Sequence, residues 1–379
     1  MSKQGIAWLA GETSGDLIAS RVLPQLQQAF PGEPMFGIGG EKLVQAGLDA
    51  WYSSSALAVR GYVEVLYKLP SLLWLRSRMI NRVMKADPRA FIGVDAPDFN
   101  LGIELKLKEK GIKTIHFVCP SIWAWRPERI ETIKKAVDHM LLIFPFEKEL
   151  MDKAGVESTY IGHPLASMIA REPDKLSARE DLQIEPSGAL FTVMPGSRAA
   201  EVKGCAPIFF AACERILDFD AKAQFLVPAA DLARKAQIEQ ILNQFPKVKA
   251  RTRLSVGNSY TCMQACDAIL VASGTATLEA ALFKRPLVVG YSMPGLTGLL
   301  MERKGLTPWV SLPNILAQER LVPELLQYFC RPEQLAFALW HEYERRNNAY
   351  LMKRFHQLHE SLERDTPRLA AQAIEGVCR

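Results

Sequence analysis

The stretch 90-AFIGVDAPDFN-100 runs an apolar, strand-forming segment straight into two aspartates three residues apart, with Pro97 between them. Charge at the end of a hydrophobic strand is costly unless something there uses it. The carboxyl edge of an open parallel sheet is where ligands bind, so Asp95 and Asp98 stand where chemistry is done. One carboxylate can be spent on an Asx-type turn and the other aimed outward as a general base. Two turn aspartates without a chemical role are the alternative. Nothing adjacent in sequence supplies a third ligand, so the pair is not a metal site by spacing.

Two further junctions have phosphate chemistry. In 193-VMPGSRAAEV-202 a strand ends, Gly196 and Ser197 turn, and Arg198 stands where a helix should begin. Free amides at a helix start together with a guanidinium make an anion site, though a plain connection has the same form. In 270-LVASGTATLEAAL-282 a strand is followed by Ser273, Gly274 and Thr275, then a helix carrying Glu279. Gly274 permits close backbone approach, the hydroxyls can bond phosphate or cap the helix, and Glu279 can accept from ribose hydroxyls. Together the two loops read as the sides of a nucleotide diphosphate site. A third junction, 10-AGETSGD-16, lacks the Lys-Ser/Thr of a P-loop and the spacing of a dinucleotide fingerprint, as does 37-GIGG-40. Hydride transfer is disfavoured.

The elements that must position these residues follow an alternation of short apolar runs and helical patterns, the mark of parallel sheets with crossover helices. Strands are expected at Ile6–Ala10, Met35–Ile38, Phe91–Val94, Thr114–Val118, Met140–Ile143 and Thr159–Ile161. A second series is expected at Leu190–Met194, Gln224–Val227, Ala268–Val271 and Leu287–Val289. Amphipathic segments at Asp16–Phe30 and Leu101–Lys110 lie between strands of the first series. At 379 residues, two domains are the natural division. The segment 162-GHPLASMIAREPDKLSARE-180 interrupts the alternation with prolines and charge. The expected arrangement is residues 1–170, residues 171–345, and a helical tail at 346–379 that packs back on the first domain or on a partner chain. The fold class is α/β, two doubly wound Rossmann-like domains facing across a cleft.

Composition narrows the function classes. With 49% hydrophobic and 23% charged residues the chain is ordinarily globular, and a net charge of +5 does not demand nucleic acid. Seven scattered cysteines without a CxxC pair read as reduced thiols. No apolar run is long enough to span a bilayer, and the N-terminus is too short in apolar residues for a signal peptide. One segment stands apart, 60-RGYVEVLYKLPSLLWLRSRMINRVMK-85. Leu69, Leu72, Leu73, Met79, Ile80 and Val83 recur at helical spacing, Trp74 and Leu75 widen the apolar arc, and Arg60, Lys68, Arg76, Arg78, Arg82 and Lys85 face a single acid, Glu64. That combination suits an anionic bilayer surface, with a core-facing helix as the alternative.

The ordered set AGETSGD, GYVEVL, FIGVDAPDFN, PSIWAWRPERI, FPFEKEL, GHPL, PGSRxxEV, SGTATLEAAL and VSLPNILA resembles the bacterial lipid-A-disaccharide synthase family from about residue 5 to 330. The resemblance implies the GT-B glycosyltransferase architecture. It also implies transfer of 2,3-diacylglucosamine from its UDP donor to the 6-hydroxyl of 2,3-diacylglucosamine 1-phosphate (lipid X), with inversion and with no cofactor or metal. Carried over by position, Asp98 is the general base, and Glu12, Ser14 and Gly15 lie on the acceptor side. Gly196, Ser197, Arg198, Ser273, Gly274, Thr275, Glu279, Tyr291 and Asn314 lie on the nucleotide side. Leu69, Leu72, Leu73, Trp74, Arg76 and Arg78 match a membrane-docking region, so the implied location is the cytoplasmic face of the inner membrane of a Gram-negative cell. A homodimer is also implied, and no nucleic acid partner.

The sequence departs from the family pattern at Tyr291-Ser292, where Tyr-Arg is usual, at Gln318-Glu319-Arg320, where Gly-Arg-Glu is usual, and at Cys119 before Pro120-Ser121. Two other classes fit the same architecture. A UDP-sugar 2-epimerase would leave the basic apolar segment unexplained, and a nucleotide-binding membrane scaffold would leave Asp98 without a task.

Overall fold

Strands Ile6–Ala10 (β1) and Ala90–Val94 (β4) are buried at every residue, as strands covered on both faces must be. They are the centre of a seven-stranded, all-parallel sheet. Its other members are Met35–Gly39 (β2), Asp49–Ser53 (β3), Lys113–Phe117 (β5), His139–Leu142 (β6) and Ser158–Tyr160 (β7), in the order β3-β2-β1-β4-β5-β6-β7. A second, six-stranded parallel sheet contains Leu190–Met194 (β8), Gln224–Ala229 (β9), Thr252–Val256 (β10), Ala268–Val271 (β11), Leu287–Tyr291 (β12) and Glu324–Leu326 (β13). Its order is β10-β9-β8-β11-β12-β13. The computed structural model describes residues 4–54, 57, 62–185, 188–292 and 307–379.

The chain divides into two compact units. One contains residues 1–167 and 361–379, the other residues 168–360. The closing helix Thr366–Cys378 therefore belongs with the first sheet, where it packs on helix Thr13–Ala29. Thr366 Oγ1 donates to Ile161 O, and Tyr160 Oη donates to Ser361 O at 2.5 Å. The second unit has an aromatic-rich core in which Phe191, Phe209, Phe210 and Phe225 meet Leu335 and Leu339. Burying such side chains contributes roughly 1.5–3 kcal/mol each.

Three strands were not foreseen from sequence, β3, β10 and β13. All lie at sheet edges, and none of their residues is fully buried. Edge strands need no continuous apolar run, so their periodicity is faint.

Helix Tyr62–Ala86 divides its apolar residues between two tasks. Leu75, Met79, Ile80 and Val83 enter the core beside Leu9, Ile38 and Phe91. Leu75 is thus a core residue and does not widen a surface arc. Leu69, Leu73 and Trp74 are exposed. Arg60 and the side chains of Glu64 and Lys68 lie outside the described residues. Among the described residues, no helix is long and apolar enough to cross a membrane.

Candidate functional site

In the first unit the strand order reverses between β1 and β4, so the crevice at their carboxyl ends is the place a doubly wound sheet offers a ligand. After β1, Glu12 caps helix Thr13–Ala29, whose first turn carries Ser14, exposed like Glu12, and Gly15, buried. A Cβ on Gly15 would come within 3.2 Å of Val94 Cγ1, so the small residue lets this helix start lie against the end of β4. The loop after β4 holds two consecutive non-glycine residues in the left-handed region, Asp95 at φ 52° and Ala96 at φ 43°. Such strain persists only where the surroundings impose it. Here Asn100 imposes it: fully buried, its Nδ2 donates to Asp95 O at 2.7 Å and Val94 O at 3.3 Å. The Asx-turn reading is corrected accordingly. Among the described residues the Asp95 carboxylate has no partner, and a neighbouring amide side chain holds the loop.

Pro97 begins helix Pro97–Lys108 and Asp98 follows in its first turn, where a carboxylate is favoured by the helix dipole. The Asp98 side chain is 75% exposed, and its Oδ1 accepts from Arg129 Nη2. Arg126 Nη1 stands 3.5 Å from the same oxygen. Both guanidiniums lie against Trp125, at 4.5 Å for Arg126 and 5.6 Å for Arg129 from the ring centroid. Asp98 is therefore an ion-paired carboxylate at the sheet edge.

Behind this edge lies a buried polar layer. Glu104 Oε1 and His116 Nδ1 are 2.7 Å apart and fully buried, with Gly93 opposite His116 in the strand register. Any Cβ on Gly93 would collide with Glu104 Oε1, so the bare strand makes room for the carboxyl. Burial pushes the Glu104 carboxyl above its usual range, against the contrary pull of His116. The loop that supplies Arg126 and Arg129 is pinned by Trp123. Its Nε1 donates to Glu147 Oε1 at 3.1 Å, while Phe144 N donates to Glu147 Oε2 at 3.1 Å. Burial raises the Glu147 carboxyl to about 8 despite these donors, and it lowers nearby His163 to about 4.

In the second unit the strand order reverses between β8 and β11. The two phosphate-loop candidates follow exactly those strands. Gly196, at φ 123°, has Glu201 directly over it, where a Cβ would clash. Arg198 is the N-cap of helix Ala199–Phe219, its side chain 81% exposed. The expected free amides are not free. Ser197 N and Arg198 N donate to Glu201 Oε2 at 3.1 and 3.2 Å, and Arg198 Nη1 reaches Glu201 Oε1 at 3.1 Å. An internal carboxylate occupies the position an anionic ligand would take.

Gly274, at φ 93°, has open space where a Cβ would stand, and Ser273 and Thr275 flank it on the loop. Glu279 sits one turn into helix Ala276–Leu282 and accepts from Tyr260 Oη at 3.2 Å. Its carboxyl is raised by burial, and the Tyr260 bond opposes that rise. Tyr291, half-buried at the end of β12, has its phenol raised by burial and by the nearby Glu201 charge.

Asn314 departs from its expected role. It is fully buried, its Nδ2 donates to Val322 O and Glu324 Oε1, and its Oδ1 accepts from Leu321 N and Val322 N. With every donor and acceptor spent, its side chain braces the loop and has no group left for a nucleotide. Glu319, in the departure Gln318-Glu319-Arg320, is likewise engaged, accepting from Arg354 Nε at 2.6 Å and Tyr350 Oη at 2.7 Å.

The docking candidates are partly surface and partly cover. Leu69, Leu73 and Trp74 are exposed, Leu72 half-buried, and Arg78 stacks on Trp74 at 4.6 Å. Arg76 instead lies over Gly102, where a Cβ would stand 2.8 Å from its Nη1. Sequence reasoning passed over Arg126, Arg129, Asn100, Glu201 and Tyr260. Only Glu201 had a local signal, three residues after the N-cap in the spacing of a capping box.

The chain is 46% identical over 374 residues to the lipid-A-disaccharide synthase of Paraburkholderia phymatum, covering 98% of this chain and 96% of that one. To the same-named protein of Verminephrobacter eiseniae it is 44% identical over 378 residues, covering 98% and 97%. Among solved structures it is similar to the glycotransferase of kitacinnamycin, with TM-score 0.61 and 12% identity over all of both chains. It is equally similar to the UDP-GlcNAc 2-epimerase of Neisseria meningitidis, with TM-score 0.61 and 10% identity over 98% of each. Likeness at that identity speaks for a GT-B fold alone, so the epimerase reading is not favoured over the far closer synthases. The family model described as lipid-A-disaccharide synthetase matches residues 6–374, and the chain belongs to that family.

Proposed function

We propose that this chain transfers 2,3-diacylglucosamine from its UDP donor to the 6-hydroxyl of 2,3-diacylglucosamine 1-phosphate, with inversion, releasing UDP and the lipid A disaccharide 1-phosphate. The observation that carries the reading is Asp98, an exposed carboxylate held at the switch point of the first sheet by Arg129. Asp98 takes the acceptor proton as the oxygen attacks the anomeric carbon from the face opposite UDP. Negative charge then grows on the departing diphosphate. Arg198 and the amides of Ser197 and Arg198 meet it once the Glu201 carboxylate swings aside, while the loop 273–275 offers its hydroxyls and Glu279 the ribose contact.

Both sugars carry acyl chains that reside in a bilayer. Leu69, Leu73 and Trp74, with Leu72 and the cation Arg78, form the surface that reaches it. Replacing Leu73 and Trp74 by serine is expected to reduce sedimentation with anionic vesicles, and unchanged sedimentation refutes the docking role.

The reaction is tested by mixing the protein with the acylated UDP donor and the acylated monosaccharide phosphate, and analysing products by mass spectrometry. UDP and a tetraacyl disaccharide phosphate are expected. Epimerised UDP-sugar without disaccharide overturns the proposal.

A further inference from the structure

We propose that Arg126, seated on the face of Trp125, is the receptor for the anionic phosphate of the acceptor sugar, and that Arg129 alone serves Asp98. This rests on the acceptor reading above and assigns the subsite that reading leaves open.

At the Asp98 oxygen itself one carboxylate meets two guanidiniums, while Asp95 and Glu128 form no ion pair with either arginine among the described residues. Arg129 makes the close contact and is nearly buried at 14% exposure, so it satisfies the carboxylate. Arg126 reaches Asp98 only at 3.5 Å, the limit of a hydrogen bond, and 46% of its side chain faces solvent. Its charge is surplus to the pair. The nearby acid Glu131 is engaged with Lys134 at 3.7 Å and offers it no balance.

Geometry presents that surplus charge. Arg126 is one of few non-glycine residues in the left-handed region, at φ 53°, in a loop held down by the Trp123–Glu147 bond. Backbone strain kept at a site edge points to a positioned side chain. The stack on Trp125 fixes the guanidinium plane while leaving its edge N–H groups for a planar-fork contact with phosphate oxygens. The substrate's own chemistry agrees. Its reacting hydroxyl is carried by C5 through C6 and its phosphate by C1, and C5 and C1 flank the ring oxygen, so the two groups leave the same side of the sugar. A cation holding the phosphate must therefore stand close to the base, with a side chain exposed enough to meet it. Both arginines stand beside Asp98, but only Arg126 is exposed enough to turn to the phosphate.

The test compares wild type with Arg126→Gln on two detergent-dispersed acceptors, 2,3-diacylglucosamine 1-phosphate and the same sugar without phosphate, in micelles free of phospholipid. Arg126→Gln is expected to lose about 10–100-fold in kcat/KM on the phosphorylated acceptor through acceptor KM, with donor KM unchanged. On the acceptor without phosphate the two proteins should run alike, and Arg126→Lys should recover part of the loss. Equal losses on both acceptors would assign Arg126 to Asp98 instead, and a raised donor KM would assign it to the nucleotide. No loss at all would show that Arg126 does not hold the acceptor phosphate. Each of these overturns the inference. If wild type makes no disaccharide from either acceptor, the transferase reading itself falls, and this inference with it.

Discussion

The two sheet edges are built alike and display opposite charge. In the first unit a carboxylate is 75% exposed and its arginine, Arg129, is 14% exposed. In the second an arginine is 81% exposed and its carboxylate, Glu201, is 15% exposed. Asp98 and the Arg198–Glu201 pair each stand at the strand-order reversal of a parallel sheet, at the start of the helix that follows, while Arg129 reaches Asp98 from another helix. Burying one partner decides which charge the edge displays: negative when the cation is tucked in, positive when the acid is. One strand–turn–helix scaffold can therefore supply either half of a group transfer.

The comparison breaks most visibly at Asp98. Asp98→Asn should keep its melting temperature and lose on the order of 10²–10⁴ in turnover, since a positioned base typically contributes that much. Near wild-type kcat would show that the exposed acid is no base. Next in size, Arg198→Ala should weaken UDP about 10–100-fold in calorimetric titration, the loss expected for a charged hydrogen bond. Unchanged affinity would move the diphosphate off this edge.

Glu201→Gln sharpens the contrast further. If Glu201 competes with the ligand for the Ser197 and Arg198 amides, removing its charge should tighten UDP several-fold. The same change should lower stability by roughly 0.5–2 kcal/mol through the lost cap. Weaker UDP binding would make Glu201 a contributor to the site and not its internal occupant.

The smallest effect concerns how the arginines are supplied. In the second unit both charges come from one helical turn, whereas in the first the cations arrive on a loop pinned to buried Glu147. Glu147 releases its proton at about 8 when folded and near 4.5 when unfolded. The folded state therefore binds more protons between these values, and stability falls as pH rises through them. His163, lowered to about 4 from 6.5, acts in the opposite sense, costing stability as pH falls from 6.5 toward 4. Above pH 6.5 only Glu147 of this pair still titrates. Urea midpoints should then decline from pH 6.5 to 8, by at most about 1.4 kcal/mol per pH unit from this group, and Glu147→Gln should flatten the decline. A wild-type midpoint that rises over this range would contradict the assignment.

What could be read from sequence was what lies close along the chain. Central strands such as Ile6–Ala10 and Leu190–Met194 announce themselves because burial on both faces demands continuous apolar runs. Asp98, Arg198 and Gly274 could be singled out because strand end, turn and helix start are contiguous. Their partners were not, because Arg129 is 31 residues from Asp98 and Tyr260 is 19 from Glu279, and only folding brings them together. Asn314 shows the complementary failure. A polar residue in a loop looks the same in sequence whether it faces a ligand or, as here, is sealed inward by four hydrogen bonds.

Helix Thr366–Cys378 lies on the sheet formed by the first half of the chain. During synthesis that half emerges early but must wait for residues 366–378 before its outer layer is complete. Its exposed helix face is thus left unguarded while everything after it is being made. Deleting helix Thr366–Cys378 should accordingly harm the unit formed by residues 1–167.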